Sequence, residues 1–544
     1  HGGTTIQKVD VVIIVAGWYG LIAARTYLRL RPNIELLIID SDSTVGGVWS
    51  KDRLYPNLVA QVKLGLFDYS DTLMPPYGGN ENYPRVTGDM IHGYLQSYAE
   101  EHDLLRRIRF NTFVTNAVQN TGGWRLELEI LDHVILAEKL MVATGVTSIP
   151  PMPEFPQSGE SIGSIREISS AYDAVCLLLK MGKRVTCVIR TEGAGPLAIL
   201  PFKILGAVNA IAFASTRLMT FPSPSILNTE GMMPRLSQRT KLGRWCVGRF
   251  WEFLDLVSQR HAGYGAGDHV KMLMPEIERQ GVFWAHAGLG VVTLPDFWPT
   301  LHSERLSVIR DELVETKDNA VLLKPAKSIK TDYIISCTGW GDHFGMFDQQ
   351  HKSKIGLPHW STEDGGIINW KSYDATADKD VNRHLPFLVS TPKLAYDERL
   401  SLDRQHKWRL YRRVVPVEMA DAGDRSLAIM GQIHTVQTPL VSEVQSLWSI
   451  LYLEGEIELP DAGSMAKEVS LWNAWTRKRY LGQGQKFPYS LYDFLPYIDL
   501  LFKYMGLQSR RKSNWDSELL SPYRPNDFAG FVDEYLAQRK LKTS

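Results

Sequence analysis

The sequence predicts an α/β protein assembled from dinucleotide-binding units, with a helical C-terminal region. Three observations predict it. Val9–Asp40 has the outline of a strand, a glycine-bearing turn, a helix and a second strand. Two further strands, each running into a Thr-Gly turn at Thr144-Gly145 and Thr338-Gly339, lie far apart in the chain. At 544 residues the chain is too long for one ordinary core, which calls for two or three lobes.

The first unit opens with the β-branched run Val9, Val11 to Val15 and turns at Ala16-Gly17-Trp18-Tyr19-Gly20. Leu21, Ile22, Leu28 and Leu30 follow at helical spacing, then Pro32 and the apolar run Leu36–Ile39 ending in Asp40. Such a turn sets a pyrophosphate on a helix N-terminus, and an acidic residue about twenty positions on bonds a ribose hydroxyl. The pattern G-x-G-x-x-G is broken at its first position by Val15; Gly17 and Gly20 supply the other two glycines. A β-branched side chain is poorly suited to the dihedrals of that turn, so Val15 is expected to disrupt the site.

Composition narrows the partners. Lys+Arg and Asp+Glu both number 60, so no net field favours nucleic acid. The 4 cysteines, Cys176, Cys187, Cys246 and Cys337, have no metal or redox spacing, which suits a cytosolic setting and predicts no metal site. The opening HGGTT reads as appended residues. The most apolar stretch, Leu197–Ala214, is interrupted by Pro201, Lys203 and Asn209, so no transmembrane span is expected.

After Asp40 come Gly46-Gly47-Val48-Trp49, Arg53-Leu54-Tyr55-Pro56 and Gln61. Paired glycines alone serve an ordinary turn more often than a ligand. Taken with the altered first turn, the two Thr-Gly crossovers and the C-terminal stretches TPLVSEVQSLWSILYLEGEIELP, WNAWTRKRYLGQGQ and LYDFLPYID, they make the chain resemble the flavin-containing monooxygenases, including Baeyer–Villiger-type relatives of fungal secondary metabolism. The resemblance implies two Rossmann-like domains, one for FAD and one for NADPH, the first split around the second. The expected organisation is an FAD-type part at 6–152, a degenerate NADPH-type lobe with an insertion at 153–335, a second FAD-type part at 336–460 and a helical extension at 461–544. The vestigial FAD contacts would be Gly17, Gly20, Asp40, Gly47, Trp49 and Thr144.

The middle of the chain departs from the family. Gly163 stands where the family's linker carries histidine, in the stretch beginning at Phe155. Between Ser164 and Ser170 only Ile165-Arg166-Glu167-Ile168-Ser169 remain, without glycine, to make a strand and a phosphate loop before the helix at Ser170–Val175. Five residues suit one of these but hardly both. Arg190, ending the strand Arg184–Arg190, reads as a solvated arginine, as do Arg106-Arg107-Ile108-Arg109 and Arg510-Arg511-Lys512. In the insertion-like 195–331 region, Trp245, Phe250, Trp251, Phe253 and Leu254 suggest a helix packed on the degenerate lobe, with a membrane-facing surface as the lesser alternative.

Near the C-terminus Thr438 and Pro439 read as the N-cap and first turn of a helix carrying Leu440, Val441, Val444, Leu447, Trp448 and Leu451 on one face. In the family such a helix start points at the pyrimidine end of the flavin, and Gly431–Gln437 lines the cavity before it. These features predict a scaffold with no functional cofactor, FAD retained at most as a structural ligand and NADPH not bound. Its cavity would perform a redox-neutral cyclisation, for instance an intramolecular Diels–Alder reaction, on a small apolar secondary metabolite. Trp49, Arg53, Tyr55, Gln61, Gln432 and His434 are the residues carried over to that site. An FAD- and NADPH-dependent monooxygenase is the alternative, and a non-catalytic binding protein the third reading. The oligomeric state stays open.

Overall fold

A computed structural model of the chain describes residues 5–76, 85–130, 133–150, 156–158, 163–165, 171–277, 279–324, 327–360, 366–394 and 408–543. The β-branched opening run forms the strand Thr5–Ile14, whose Val11 to Ile14 are buried, as befits a parallel strand covered on both faces. It lies between Leu36–Ile39 and His133–Val142, both parallel to it, in a seven-stranded sheet. Ile108–Arg109 extends the sheet beyond Leu36–Ile39, and the hairpin Val114–Asn120 and Gly123–Leu128 extends it beyond His133–Val142. The last strand arrives from the far side of the middle segment: Leu427–Ile429 pairs in parallel with Leu140–Val142. The first Rossmann-like unit is thus completed only by the C-terminal third of the chain.

In the middle segment Gly163–Ile165 pairs in parallel with Tyr333–Ile335, and Val185–Ile189 with Leu306–Arg310. The helix Ala171–Lys180 lies between the first and third of these strands in sequence. This corrects the shortage of residues expected here. The strand starts at Gly163, a residue assigned to the linker, so the residues after Ile165 are not needed to supply it. Residues 166–170 themselves, like Phe155, lie outside the described residues. The helix Lys241–Ala262 buries Trp251 and Leu254 as expected, whereas Trp245 and Phe253 are exposed. Among the described residues no helix is long and apolar enough to cross a membrane.

The helix Thr438–Leu453 is the centre of the molecule. Every residue from Pro439 to Leu453 is buried, not only one apolar face, because the first helix Trp18–Leu30 and the helix Phe494–Met505 cover its sides. Its N-cap is Gln437, without a side-chain capping bond; the helix starts at Thr438, one position earlier than a cap at Thr438 predicted. At its other end Glu454 accepts hydrogen bonds from Tyr27 Oη at 2.5 Å, from Arg31 Nε at 2.9 Å and from Lys139 Nζ. One carboxylate therefore ties the central helix to the first helix and the central sheet. The cluster Arg510-Arg511-Lys512 is not simply solvated either: Arg511 pairs with Glu534 and Lys512 with Asp527.

Burial pushes the Glu454 carboxyl up, but the bonds from Lys139, Tyr27 and Arg31 outweigh it and leave the group below its ordinary value. Such a lowered carboxyl stabilises the fold above its unfolded-state pKa and loses that contribution as pH falls through its folded value. Glu454→Gln should lower stability in denaturant titrations at pH 7 by about 1–2 kcal/mol. The two proteins should converge on acidification; a gap that widens in acid would contradict this role.

Candidate active site

The site is built outward from the first turn. Val15 stands at φ +81°, in the left-handed region that glycine adopts without strain. An L-residue there costs on the order of 1–2 kcal/mol, and a β-branched one is a genuine outlier. Neighbouring contacts hold it: Val15 N donates to Ile39 O at 2.8 Å, Ala16 N to Asp40 Oδ2 at 2.7 Å, and Gly46 N to Ala16 O at 2.9 Å. Gly20 is indispensable, since a Cβ placed on it would sit 1.8 Å from the Val15 carbonyl oxygen. The expectation that valine disrupts the turn is therefore corrected. The backbone path is kept, and valine itself carries the strain.

The residues around this turn fit a dinucleotide. The first helix begins after Gly17 with no side-chain cap, which leaves its first N–H groups for an anion. Gly17 and Gly47 bring their backbones together so closely that a Cβ on Gly47 would lie 3.3 Å from Gly17 Cα. Asp40 ends the second strand and accepts from the backbone N–H of Ala16 and Asp42; burial nevertheless pushes its carboxyl up to about 6. At the next strand end Thr144 Oγ1 is buried without a partner among the described residues. Gly145 and Gly431, both at positive φ, approach each other beside the Tyr19 ring.

The six residues expected to act on substrate are dispersed into two kinds of environment. Gln432 joins the strand ends, donating through Nε2 to Gly145 O at 3.2 Å and accepting from Trp408 Nε1 at 3.0 Å. His434 stacks on Tyr489, ring centroids 5.1 Å apart, and burial pushes its imidazole down to about 4, so it is neutral at pH 7. Tyr489 Oη accepts from Leu289 N at 3.1 Å, and Gln61 Oε1 accepts from Val291 N at 2.8 Å, so Gln61 and the tyrosine under His434 bond the same strand, Leu289–Val292. Arg53 instead grips Asp42 at 2.7 and 3.1 Å and Ser148 O at 2.8 Å. Tyr55 Oη lies 3.4 Å from Asp173, and Trp49 packs half-buried on the main core.

Sequence reasoning missed the layer behind His434. Tyr480 meets Tyr489 edge-on with centroids 5.0 Å apart and donates to Asp493 Oδ2 at 2.9 Å. Arg479 lies on the Tyr480 ring, 4.4 Å from its centroid. In the sequence this arginine is one of several basic residues in WTRKRY, a pattern of solvated faces. The only signal was the following Gly-Gln-Gly: a Cβ on Gly484 would lie 1.9 Å from Thr476 O, the mark of a chain folded tightly on itself.

No protein-family model matches the chain. It is 37% identical to the FAD-dependent monooxygenase DEP4 of Alternaria brassicicola, over 98% of this chain and 96% of that protein. It is 35% identical to the FAD-dependent monooxygenase resA of Aspergillus sclerotiorum, over 98% of this chain and 99% of that one. The fold is that of cyclohexanone monooxygenase: the open crystal structure aligns with a TM-score of 0.58 at 16% identity, over 91% of this chain and 97% of the other. The closed one gives 0.59 at 15% identity over 92% and 97%. The chain belongs to the FAD-dependent monooxygenases.

Membership overturns the expectation that no cofactor functions here. Relatives named as FAD-dependent match over nearly the whole length, which points to flavin use rather than its loss. The physical error lay in taking Val15 as incompatible with the turn, when the turn forms with valine at positive φ. The case against NADPH weakens with it, because the second lobe keeps a strand ahead of its helix.

Gly20→Ala should destroy the turn, giving insoluble protein or a loss of stability of about 3 kcal/mol or more, as expected when strain and overpacking coincide. Gly93→Ala, on a helix with open space around it, is the control and should be neutral or slightly stabilising. Soluble Gly20→Ala protein of unchanged melting temperature would contradict the packing described.

Proposed function

We propose that this protein is an FAD-dependent monooxygenase that uses NADPH and oxygen to oxygenate a small apolar secondary metabolite. The observation that carries the reading is the turn at Val15–Gly20, kept at a conformational cost, in a chain whose relatives are named for FAD. Strain of this kind persists where the surroundings over-determine it, and functional sites are where it collects.

Bound FAD would supply the redox chemistry. The chain's own part is to hold and to shape. The N–H groups after Gly17 would hold the pyrophosphate and Asp40 a ribose hydroxyl, with the Gly46-Gly47 turn beside them. The start of Thr438–Leu453, with no side-chain cap, would offer partial positive charge to a bound flavin. His434, Tyr489 and Tyr480 form an aromatic wall that orients an apolar substrate and keeps water away. Mixing the FAD-loaded protein with NADPH should bleach the flavin absorbance, and oxygen should restore it. Absorbance that NADPH leaves unchanged at millimolar concentration would refute the reading.

A redox-neutral ring closure of the same substrate is the second reading, favoured by the neutral, aromatic character of the His434 surroundings. Folding an apolar substrate into one reactive conformer is what such a reaction asks of a protein. Product formation under anaerobic conditions without NADPH would select it.

A neutral His434 also makes a statement about pH. With its imidazole pushed down to about 4, it holds one protonation state from pH 5 upward. The pH profile of turnover should then have the same limbs in the wild type and in His434→Phe, which keeps a ring against Tyr489. Disappearance of a limb near pH 6–7 in the variant would show that His434 titrates during turnover.

A further inference from the structure

Arg479 is fully buried, yet its hydrogen-bonding capacity is mostly unused. Nη1 donates to Phe283 O; Nε and Nη2 have no partner among the described residues. A guanidinium does not shed its charge at any ordinary pH, so burying one without an acceptor is costly. The ring faces of Phe283 at 3.8 Å and Tyr480 at 4.4 Å offset part of that cost, with Trp251 and Tyr492 further off at 5.7 and 5.9 Å. Asp493, the neighbouring carboxylate, is bonded to Tyr480 and Ser225 and makes no hydrogen bond to Arg479 among the described residues. The Tyr492 hydroxyl is likewise buried without a partner.

The geometry says what is missing. Nε and Nη2 are the parallel pair of donors on one edge of the guanidinium. Elsewhere in this protein the same two atoms hold a carboxylate: Arg53 Nε and Nη2 grip Asp42, and Arg31 Nε and Nη2 bond Glu454. On Arg479 this fork is made and empty-handed. The backbone beside it is strained, since Leu481 breaks the helix Ala462–Lys486 at φ 49°, ψ −133°. Two unpartnered buried donors on a charged group and a strained residue within three positions mark a place shaped for something other than stability.

We propose that Arg479 binds the carboxylate of an otherwise apolar acid, with Tyr492 as a second donor and the surrounding rings against the hydrocarbon. A neutral carbonyl would accept the N–H groups through ordinary hydrogen bonds; a carboxylate would accept them through charge-assisted ones, roughly twice as strong. The site lies one ring behind the His434 wall, through Tyr480 and Tyr489. It rests on the reading of that wall as the substrate side, and makes the metabolite an acid anchored by its head.

Titration calorimetry on the full-length, FAD-loaded protein with dodecanoate and methyl dodecanoate tests it. The acid should bind one per chain and tighter than the ester by about tenfold or more, the margin of a charge-assisted fork. Arg479→Gln should bring the two within about threefold of each other, and Tyr492→Phe should narrow the gap in part. If Arg479→Gln does not fold, Arg479→Lys carries the test: it keeps the charge without the fork and should lose most of the preference. Equal affinities in the wild type, or a preference undiminished in the folded variant, would overturn the proposal and leave Arg479 a cation–π clamp. The preference is read without turnover, so it stands or falls separately from reduction of the flavin.

Discussion

The structure depends on one backbone path. Between Ile14 and Gly20 the chain must leave the central strand, reverse and enter a helix whose first N–H groups face outward. The Val15 carbonyl oxygen takes the room that any side chain at Gly20 would need. Asp40 and Gly46 fasten the same turn from the second strand and the paired-glycine loop. Everything that makes the site follows: the uncapped helix start, the close approach of Gly17 to Gly47, and the line of strand ends at Val15, Thr144 and Met430. A valine at positive φ is the cost of keeping that path in this sequence.

The second constraint is the buried helix Thr438–Leu453, which has no solvent face. Polar groups on it must be satisfied internally. Gln445 accepts from Gly431 N at 2.8 Å and donates to Tyr497 Oη at 2.7 Å, while Glu443 takes both donors of Ser70. Burial pushes the Glu443 carboxyl up to about 8, so it is mostly protonated at neutral pH. These bonds fix the helix start against the strand ends. Ser446 Oγ, Trp448 Nε1 and Ser449 Oγ on the same helix are buried without partners among the described residues, as are Arg479 Nε and Nη2 on the kinked helix behind His434, two positions before the strained Leu481.

Much of this was legible in the residues, and the failures have physical causes. The runs Val11–Ile14 and Leu36–Ile39 alternate with turn residues at the spacing of a strand–helix–strand unit, so the first lobe could be read directly. The split of that lobe came only with the resemblance, because Leu427–Ile429 is three residues long and carries no local sign of its partner. Val15 misled because side-chain type speaks to intrinsic preference, whereas tertiary bonds decide whether a strained dihedral is held. Gly163 misled in the opposite way: glycine read as linker, yet it pairs with Tyr333 at the start of a parallel strand. Arg479 was invisible, because a charge in a basic run reads as solvated until a kink turns it inward.

The central claim is that the turn carrying Val15 is a working dinucleotide turn. The most direct measurement is the amount of FAD released on denaturing the protein after incubation with FAD and removal of the excess. About one FAD per chain is expected, falling sharply in Asp40→Ala, which removes the carboxylate that fastens the turn and is proposed to hold the ribose. FAD absent from the wild type, or retained undiminished without Asp40, would contradict it.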